Sequence, residues 1–598
     1  MAFALATGQH ISSLKASNEV ESHGYGKVQR SQGHPGWLLI ADQMSPIGRS
    51  PDPRSPWQVV CDGYLANHDE IAASLPEARE LRKEKHPNEL IAALLDQSGP
   101  DALFRLVGNF AIVAANKKDG SVVAMRDRMG GRTLYRLDNN SPDLLIASRS
   151  AWVQILSKRP FQPDPKFLAS FFAMQTAPPP GHSSFEAVAE ALPGQQVRLR
   201  NNQLELVRRP LNLAPDFDYK HPGDCIVRFR ELLEKAVAAT LPPTGNVACM
   251  LSGGLDSAPA AIIADRLLAS RNANVIPTSW RLDRFPEACE AKWISMAASK
   301  LRSAPIFFDA SDMLPFSKLG TWALDPDAPH YNGFREPVLR CYELAADAGC
   351  KITLNGNAGD ELYAPPHLLN IDRTKRRQWK PIWRDLKTML LRQGLSGILR
   401  YPAFRHPIGR LVAPWSRPGN KPPLWLADEG RKHWQPSQAW PPECQETTFP
   451  AYTCQLLGAR MAYGRAHECA FPNRYGVDRR DPFHNEALAK FMLHAPFSLS
   501  HRQGETKWIM RQAAKQALPS MLARKGRTGV LTEFWDFGRK ANKKAIHSCL
   551  GHWSAEWRQW VRQETFLNIV DQETHMAPAA LLSHCVGYSI WSNYWAER

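Results

Sequence analysis

The sequence predicts an α/β protein in two parts: an N-terminal α+β domain of mainly short strands, then a domain with a parallel sheet and a helical C-terminal part. Three observations predict this class. Short β-rich runs separated by turn signals fill residues 1–210, strands alternate with helices from about residue 223, and two glycine-rich loops directly follow predicted strands. Such alternation favours parallel strands joined by right-handed crossovers. We therefore predict two domains, 1–210 and 211–598.

The composition excludes several classes of protein. The 598 residues are 43% apolar and 22% charged, which is ordinary for a globular chain and argues against wholesale disorder. No run of about 18 uncharged apolar residues occurs, so no transmembrane helix is expected. The first residues also lack the pattern of a secretory signal, and we expect a cytoplasmic protein. The 11 cysteines form no C-x-x-C pair and are expected to be reduced core residues.

Four β-rich runs predict strands in the N-terminal domain: Trp37–Ile40, Trp57–Val60, Phe110–Ala114 and Leu144–Ala147. Helical periodicity predicts helices over His86–Leu95 and Pro165–Ala173. The polar segment Pro210–Pro222 contains several prolines and is predicted to be the linker.

The second domain begins with a predicted helix, Asp224–Ala239, and then alternates. The predicted strands are Asn246–Leu251, Val275–Trp280, Ile306–Phe308 and Lys351–Leu354, and the helices between and after them are Ala258–Ala269, Cys289–Leu301 and Pro337–Ala348. Beyond about residue 450 the chain is predicted to be mostly helical. Ligands of parallel sheets bind at the carboxyl ends of the strands, where both glycine-rich loops fall.

The first loop, SGGLDS at Ser252–Ser257, has the features of a phosphate cradle. Two glycines after a buried strand expose backbone N–H groups, two serines add hydroxyl donors, and the next helix contributes its positive end. Asp256 would repel a phosphate unless a cation lay between them, which points to Mg²⁺. A plain glycine turn with a solvated aspartate is the alternative for this hexapeptide alone.

The second loop places Asp360 and Glu361 at another strand end, about a hundred residues later. Two strand-end loops that each offer one aspartate can hold a single Mg²⁺ on a triphosphate. We therefore predict Asp256 and Asp360 as metal ligands. The alternative for the second loop alone is a helix N-terminus with acids that favour its dipole.

These loops and two further segments resemble the asparagine-synthetase superfamily of PP-loop ATP pyrophosphatases. The matching segments are SGGLDS, GNAGDELY (Gly356–Tyr363), GVDRRDPFHN (Gly476–Asn485) and TKWIMRQAAKQALP (Thr506–Pro519). The resemblance implies a HUP-like parallel sheet, ATP and Mg²⁺ as cofactors, and Lys507 as a catalytic residue. It also implies an ATP and pyrophosphate site formed by Met250, Leu251, Ser252, Gly253, Gly254, Leu255, Asp256, Ser257, Trp280, Asn355 and Gly356.

The N-terminal domain resembles the glutaminase half of the same family, an Ntn-type α+β sandwich. The similar segments are Gly63–Glu70, Gly108–Tyr135 and Leu192–Leu199. Such a glutaminase needs a cysteine at its mature amino terminus, whereas this chain opens Met1-Ala2-Phe3. The glutamine-holding N-G-E triplet of the family falls on Asp62-Gly63-Tyr64. The resemblance thus implies a degenerate class II glutamine amidotransferase-like domain that does not hydrolyse glutamine.

Departures in the synthetase half bear on the substrate. Asn357 stands where asparagine synthetases carry a glutamate for aspartate activation, and β-lactam-forming members carry a tyrosine there with a separate glutamate as base. Glu468 lies in about the interval of that separate glutamate, and a helix-surface glutamate is the alternative interpretation. The late lysine of the family, which stabilises charge on the adenylate, aligns with Arg527, while Lys525 lies two residues earlier. Arginine keeps the charge but changes its shape, so both residues are candidates.

The whole pattern is most similar to lasso peptide cyclases. These enzymes adenylate an Asp or Glu side chain of a precursor peptide and close it onto the N-terminal amine as a macrolactam. The resemblance implies a precursor peptide and a leader peptidase or leader-binding protein as partners, and no nucleic acid. The alternatives are a β-lactam-forming or ammonia-dependent synthetase of a small molecule, and a non-catalytic scaffold that binds nucleotide or peptide.

A basic segment rich in Trp and Pro, residues 372–450, is the main stretch outside the resemblance. Residues 372–432 contain fifteen Lys or Arg and four acids, a net charge of +11 out of +16 for the chain. Basic residues among aromatic ones fit nucleic-acid binding, a docking surface for a peptide, or a solvated insertion. No nucleic-acid motif accompanies the segment, and a cyclase would need a peptide surface.

Overall fold

In the computed structural model of the protein, the residues described are 2–10, 28–33, 36–44, 47–49, 55–75, 87–138, 143–174, 178–363, 366–400, 404, 422–435, 464, 468–469, 471–502, 505–515, 517, 531–552, 555–562, 564 and 576–597.

The N-terminal domain is a sandwich of two six-stranded antiparallel sheets. Its strands are β1 (Phe3–Thr7), β2 (Val28–Gly33), β3 (Trp37–Asp42), β4 (Gly48–Arg49), β5 (Trp57–Leu65), β6 (Gly108–Asn116), β7 (Val122–Arg126), β8 (Tyr135–Leu137), β9 (Leu145–Ala147), β10 (Val188–Glu190), β11 (Gln195–Arg200) and β12 (Gln203–Arg208). The spatial orders are β10-β8-β9-β1-β3-β2 and β12-β11-β7-β6-β5-β4.

Alternate side chains of each strand face opposite layers, as the strand period of two requires. In β1, Phe3 and Leu5 pack between the two sheets, whereas Ala4 and Ala6 face the outer side. Four helices cover the outer faces: α1 (His68–Ala73) and α2 (Pro87–Ser98) on the second sheet, and α3 (Ser150–Ser157) and α4 (Pro165–Phe172) on the first. The central strands of both sheets are therefore buried on two sides, whereas the edge strand β12 is mainly exposed.

The second domain contains a five-stranded parallel sheet in the order β15-β14-β13-β16-β17. Its strands are β13 (Val247–Met250), β14 (Val275–Arg281), β15 (Ile306–Asp309), β16 (Ile352–Leu354) and β17 (Asp478–Arg480). The associated helices are α5 (Pro222–Thr240), α6 (Ser257–Ala269), α7 (Ala291–Ala298) and α8 (Arg335–Asp347). The chain extends the sheet on one side of β13 and then on the other. The resulting switch point opens a crevice at the carboxyl ends of β13 and β16.

The rest of the described chain is mainly helical. These elements are α9 (Pro366–Lys375), α10 (Trp379–Arg400), α11 (Asp428–His433), α12 (Glu486–His494), α13 (Phe497–Ser500), the short hairpin of β18 (His501–Arg502) and β19 (Glu505–Thr506), α14 (Trp508–Ala514), α15 (Thr532–Ala541), α16 (Lys543–His552) and α17 (Met576–Ala596). The C-terminal helix α17 connects the domains, because Trp591 packs on Phe161 with ring centres 5.1 Å apart and donates from Nε1 to the Pro326 carbonyl at 2.8 Å. Within the described ranges, no helix has the length and apolar character needed to cross a bilayer.

The predicted fold class is confirmed: an α+β sandwich precedes a parallel-sheet domain with a helical C-terminal part. Of the five strands of the parallel sheet one was missed, because β17 lies in the stretch that was predicted to be mostly helical, as do the two-residue strands β18 and β19. The three residues of β17, Asp478–Arg480, carry no apolar β pattern. They pair with β16, and Asp478 forms ion pairs with Arg132 and Arg480 at 2.6 and 2.7 Å.

Candidate active site

The first loop follows β13 and is closed by its own side chains. Ser252 Oγ and Ser257 Oγ lie 3.0 Å apart, and the Ser252 N–H donates to Ser257 Oγ at 3.2 Å. Gly253 has φ +64°, and a Cβ there would lie 2.7 Å from the backbone of Ile294, so the turn requires glycine. The loop leads directly into α6, whose N-terminus carries the positive end of the helix dipole.

The second loop follows β16 and lies against the first. A Cβ on Gly356 would come within 2.8 Å of the Ser257 nitrogen, and one on Gly359 within 2.4 Å of Asp256 Cγ. Both positions therefore need glycine because the two loops approach closely. Since β13 and β16 are neighbours in the sheet, loops that are distant in sequence form one surface.

Lys507 links the carboxylates of the two loops. Its Nζ contacts Asp256 Oδ2 and lies 2.5 Å from Asp360 Oδ1. Burial alone would lower the pKa of Lys507, but the two carboxylates outweigh it and the pKa is raised. Burial raises the pKa of Asp256 to about 6, although Lys507 opposes this shift. The two aspartates that were predicted to bind a metal are thus brought together around the Lys507 ammonium group.

The two loops form part of the wall of a cavity of about 460 Å³. Eight of the residues predicted to bind the nucleotide line it: Met250, Leu251, Ser252, Asp256, Ser257, Trp280, Asn355 and Gly356. Asp360 and Glu468 line the same cavity. The other three predicted residues, Gly253, Gly254 and Leu255, complete the turn without lining the cavity. A cavity of this size is in the usual range for small-molecule sites.

The Glu468 side chain forms a hydrogen bond with the second loop. Its Oε2 accepts hydrogen bonds from Asn357 Nδ2 at 2.9 Å and from Arg479 Nη1 at 2.6 Å. Arg479 is buried in β17 and also pairs with Asp481 at 3.2 Å. Glu468 additionally lines a smaller cavity of about 50 Å³, to which the N-terminal domain contributes Thr133, Tyr135 and Arg149. Asn357 and Glu468, which the sequence singled out separately, therefore lie in direct contact.

The donor set of the two loops fits Mg²⁺ that is shared with a nucleotide. Asp256 Oδ1 is buried and has no hydrogen-bond partner in the part of the chain that is described. Asp360, whose side chain is 80% exposed, offers a second carboxylate. Magnesium commonly takes one or two protein carboxylates together with substrate phosphates. The described residues include no group of three or more His, Cys, Asp or Glu placed to hold a metal ion.

Two of the predicted catalytic residues, Lys525 and Arg527, lie outside the described residues. In contrast, several cavity-lining residues were not singled out from the sequence, among them Arg335, Tyr342 and Arg479. Arg479 lies in the GVDRRDPFHN segment, so the family resemblance contained a signal for it. Arg335 and Tyr342 had none, because a helical pattern does not show which face meets a cavity.

Tyr64, at the glutamine-holding position of the N-terminal domain, takes part in the domain interface. Its hydroxyl accepts a hydrogen bond from Asn109 Nδ2 at 2.8 Å, and the same amide donates to the His484 carbonyl of the second domain at 3.1 Å. The Arg480 guanidinium lies 5.0 Å from the centre of the Tyr64 ring. These contacts fix the Tyr64 side chain at the domain interface.

Asp62 and Cys61 are also unsuited to glutamine chemistry. Asp62 lies 3.6 Å from Arg132, which pairs with Asp478 of the second domain at 2.6 Å. Cys61 is the one cysteine of residues 1–210. Burial raises the pKa of its thiol, so Cys61 remains protonated rather than forming a nucleophilic thiolate.

A sandwich domain followed by a parallel sheet with two facing glycine-rich loops is the architecture that two family profiles match. The asparagine synthase family profile matches residues 228–594, and that of the glutamine amidotransferase domain matches residues 42–209. The chain belongs to the asparagine synthase family, whose members use ATP.

Two curated relatives are similar to part of the chain. Amidase chry2 of Gibberella zeae is 25% identical over 348 residues, which is 54% of this chain and 50% of that protein. Amidase chyE of Penicillium rubens is 24% identical over 297 residues, which is 46% of this chain and 42% of that protein. The chain thus spans about half the length of the curated relatives it matches.

Two solved structures are also similar. The glutamine phosphoribosylpyrophosphate amidotransferase of B. subtilis, complexed with ADP and GMP, is 10% identical, with 60% of this chain and 85% of that chain covered and a TM-score of 0.23. The allosteric regulatory enzyme of purine biosynthesis is 9% identical, with 52% and 80% covered and a TM-score of 0.26.

Proposed function

We propose that the protein is a lasso peptide cyclase. It would activate an Asp or Glu side chain of a precursor peptide as an acyl-adenylate and close it onto the N-terminal amine of the peptide. The observation that carries the proposal is the contact of Asn357 with Glu468 beside the first and second loops. An amide at position 357 cannot accept a proton, and Glu468 supplies a carboxylate at the same point.

ATP would occupy the 460 Å³ cavity, with its phosphates at the two loops. Met250, Trp280 and Asn355 would line the adenine and ribose, and the Ser252–Ser257 turn would hold the pyrophosphate. Asp256 and Asp360 would hold Mg²⁺, which when bound neutralises charge on the pyrophosphate leaving group. Lys507 keeps the two carboxylates together and adds a positive charge at the same place.

The proposed reaction has two steps. A carboxylate oxygen of the peptide attacks the α-phosphorus of ATP, and the bond to the bridging oxygen breaks to release pyrophosphate. The peptide amine then attacks the activated carbonyl carbon, the bond to AMP breaks, and the amine loses a proton. Glu468 is the candidate to accept this proton, since Asn357 and Arg479 fix its orientation in the cavity wall. Arg527 or Lys525 is the candidate that stabilises the developing oxyanion.

A peptide substrate also needs a surface outside the cavity, and α10 offers one. Trp379, Trp383 and Leu390 are 52%, 66% and 50% exposed, and their spacing places them on one side of the helix. Exposed cations border this apolar stripe: Lys380, Arg384 and Lys387. The one acid of residues 374–393, Asp385, is buried and paired with Arg373 at 2.7 Å. The stripe therefore fits a peptide segment with apolar and acidic side chains. A leader peptidase or leader-binding protein in the cytoplasm would deliver this peptide.

The second candidate is a synthetase that acts on a small molecule, either β-lactam-forming or ammonia-dependent. The two relatives named amidases favour amide chemistry without indicating a peptide. A small substrate would fit the enclosed cavity and would not need the exposed stripe of α10. A non-catalytic scaffold is disfavoured by the intact cluster of Asp256, Asp360 and Lys507.

The test is a reaction with ATP, Mg²⁺ and the precursor peptide encoded beside the gene, after removal of its leader. We expect a peptide product lighter by one water, together with AMP and pyrophosphate, and none from the same peptide with an acetylated amine. The Asp360→Asn variant should lose about a thousandfold or more in rate, because a charged ligand to the leaving-group cation is removed. Asp312→Asn is the matched control, since Asp312 is 86% exposed and pairs only with Arg284 at 2.6 Å among the contacts of the described residues. Amide formation from ammonium and a small carboxylate, without cyclisation, would instead establish the second candidate.

A further inference from the structure

Arg335 is a buried cation, and two of its nitrogen atoms meet no acceptor among the described residues. Its side chain is 2% exposed, and its Nη2 donates to Asp325 Oδ2 at 2.5 Å. Neither Nε nor Nη1 has a hydrogen-bond partner within the described ranges. Buried donors without acceptors are costly and uncommon in folded proteins, so these two groups indicate a missing ligand.

Arg335 belongs to a face of α8 that lines the main cavity, which is the cavity of about 460 Å³ beside the two loops. Arg335, Val338, Leu339 and Tyr342 stand at helical spacing i, i+3, i+4 and i+7, and all four line that cavity. Tyr342 is fully buried, and its hydroxyl likewise lacks a partner in the described part. This face of α8 therefore has a cation and a hydroxyl at its two ends, with two apolar side chains between them.

Arg335 lies where the two cavities meet. Its neighbours Asn332 and Phe471 line both the main cavity and the smaller cavity between the domains. The Arg335 guanidinium is 5.4 Å from the centre of the Phe471 ring. Glu468 also lines both cavities. A substrate bound at this junction would lie beside both the nucleotide loops and the residue proposed to take its proton.

The local charge favours an anion at this junction. Arg335 and Arg474 both donate to Asp325 Oδ2 at 2.5 Å, so two guanidinium groups share one carboxylate. Burial lowers the pKa of Arg335, and the positive charge of the neighbouring Arg474 lowers it further. Asp325 raises this pKa but does not offset the other two effects. An oxyanion beside Arg335 would balance the second positive charge and supply acceptors for its unpaired N–H groups.

We propose that Arg335 forms a carboxylate-binding subsite, which holds the carboxylate of the acyl donor before it is activated. The inference rests on the proposed function for the identity of this carboxylate. The same N–H groups would also suit a phosphate oxygen of ATP, which is the other source of an oxyanion in this cavity. Binding measurements on the full chain separate the two sources.

The probe for the first source is N-acetyl-glutamic acid α-amide, which carries a single side-chain carboxylate, with N-acetyl-glutamine α-amide as its neutral match. The probe for the second is α,β-methylene-ATP with Mg²⁺. We expect the wild type to bind the carboxylate probe when α,β-methylene-ATP is saturating. Arg335→Met and Arg335→Lys should weaken that binding at least tenfold and leave the nucleotide dissociation constant within about twofold. Arg340→Met is the control, because Arg340 lies on the same helix, is 36% exposed and pairs with Glu343.

The lysine variant guards against a folding defect, since it keeps a positive charge toward Asp325, which remains paired with Arg474. Equal carboxylate affinity in the wild type and both Arg335 variants would overturn the proposal, as would saturable binding of the neutral probe alone. Loss of nucleotide affinity with unchanged carboxylate affinity would also overturn it and assign Arg335 to a phosphate. Failure of the wild type to bind α,β-methylene-ATP would count against the proposed function instead.

Discussion

Glu468 is held by two donors, the Asn357 amide and the Arg479 guanidinium, which share its Oε2 atom. A glutamine at this position could still accept from both donors through its carbonyl oxygen, but it could not take up a proton. The Glu468→Gln substitution therefore separates orientation from proton transfer. This distinction matters because the proposed reaction needs a base only in its second step.

We expect Glu468→Gln to leave peptide-dependent exchange of pyrophosphate into ATP within about twofold of wild type. Macrolactam formation should fall by about 10²–10⁴-fold, the usual contribution of a positioned general base. Both rates can be measured on the same preparation. If exchange and ring closure fell together, Glu468 would be needed for adenylation or for the fold, and its role as a base would be wrong.

Individual site residues differ in how far the sequence could reveal them. Asp256 and Asp360 were predictable, because each follows a strand and a glycine turn, and parallel strands bring their carboxyl ends to one edge. Lys507 was indicated by family resemblance, and the structure places it in contact with both carboxylates. Arg335 could not be found this way, since only the folded structure shows that two of its nitrogen atoms have no acceptor among the described residues.

At the scale of elements, β17 also could not be predicted from its own sequence. The strands that were predicted in both domains have β-rich sequences, because each contributes apolar side chains to a core. The sequence of β17, Asp478–Arg480, is fully charged and has no such run. Its strand conformation comes from pairing with β16 and from ion pairs with Arg132 and Arg480. Pairing with β16, which is distant in sequence, therefore determines that this segment is a strand, and a local sequence pattern cannot show such pairing.

The exposed stripe of α10 leads to a prediction for peptide binding. Reversing three exposed cations next to it, with Arg376→Glu, Arg377→Glu and Lys380→Glu combined, should raise the KM for the precursor peptide about tenfold to a hundredfold. The KM for ATP should hardly move. The effect should shrink at high salt, because exposed charge contacts are screened.

The control for this prediction is the same reversal at three exposed lysines of α15 and α16, Lys540, Lys543 and Lys544. It changes the net charge equally at another surface. An equal effect of both triple variants would attribute the change to overall charge. No effect of either would leave α10 as a solvated surface helix and remove the argument for peptide docking.

At the scale of the whole molecule, the two domains form one interface close to Asp62 and Tyr64. Asn109 reaches the His484 carbonyl, Arg132 pairs with Asp478, and Arg128 pairs with Glu486 at 2.9 Å. The N-terminal domain also forms part of the wall of the cavity that Glu468 shares. The N-terminal domain thus contributes directly to the surroundings of Glu468.

The corresponding prediction is that the purified protein releases no glutamate from glutamine, with or without ATP. Contacts fix the Tyr64 side chain at the domain interface, and the Cys61 thiol is buried with a raised pKa. Glutamate can be measured by an enzyme-coupled assay against a heat-inactivated sample. Release above that background would show that the N-terminal domain retains a functional glutaminase site.

The central claim is that the α-phosphate of ATP is attacked by a carboxylate of the peptide. The most direct measurement uses a precursor peptide labelled with ¹⁸O in the side-chain carboxylate that forms the ring. Mass spectrometry of the nucleotide product should then find one ¹⁸O atom in AMP for each macrolactam formed, because that oxygen stays on phosphorus when the amine displaces the adenylate. Label in inorganic phosphate together with ADP would show activation at the γ-phosphate, and ring formation without labelled nucleotide would exclude an acyl-adenylate; either result would contradict the mechanism.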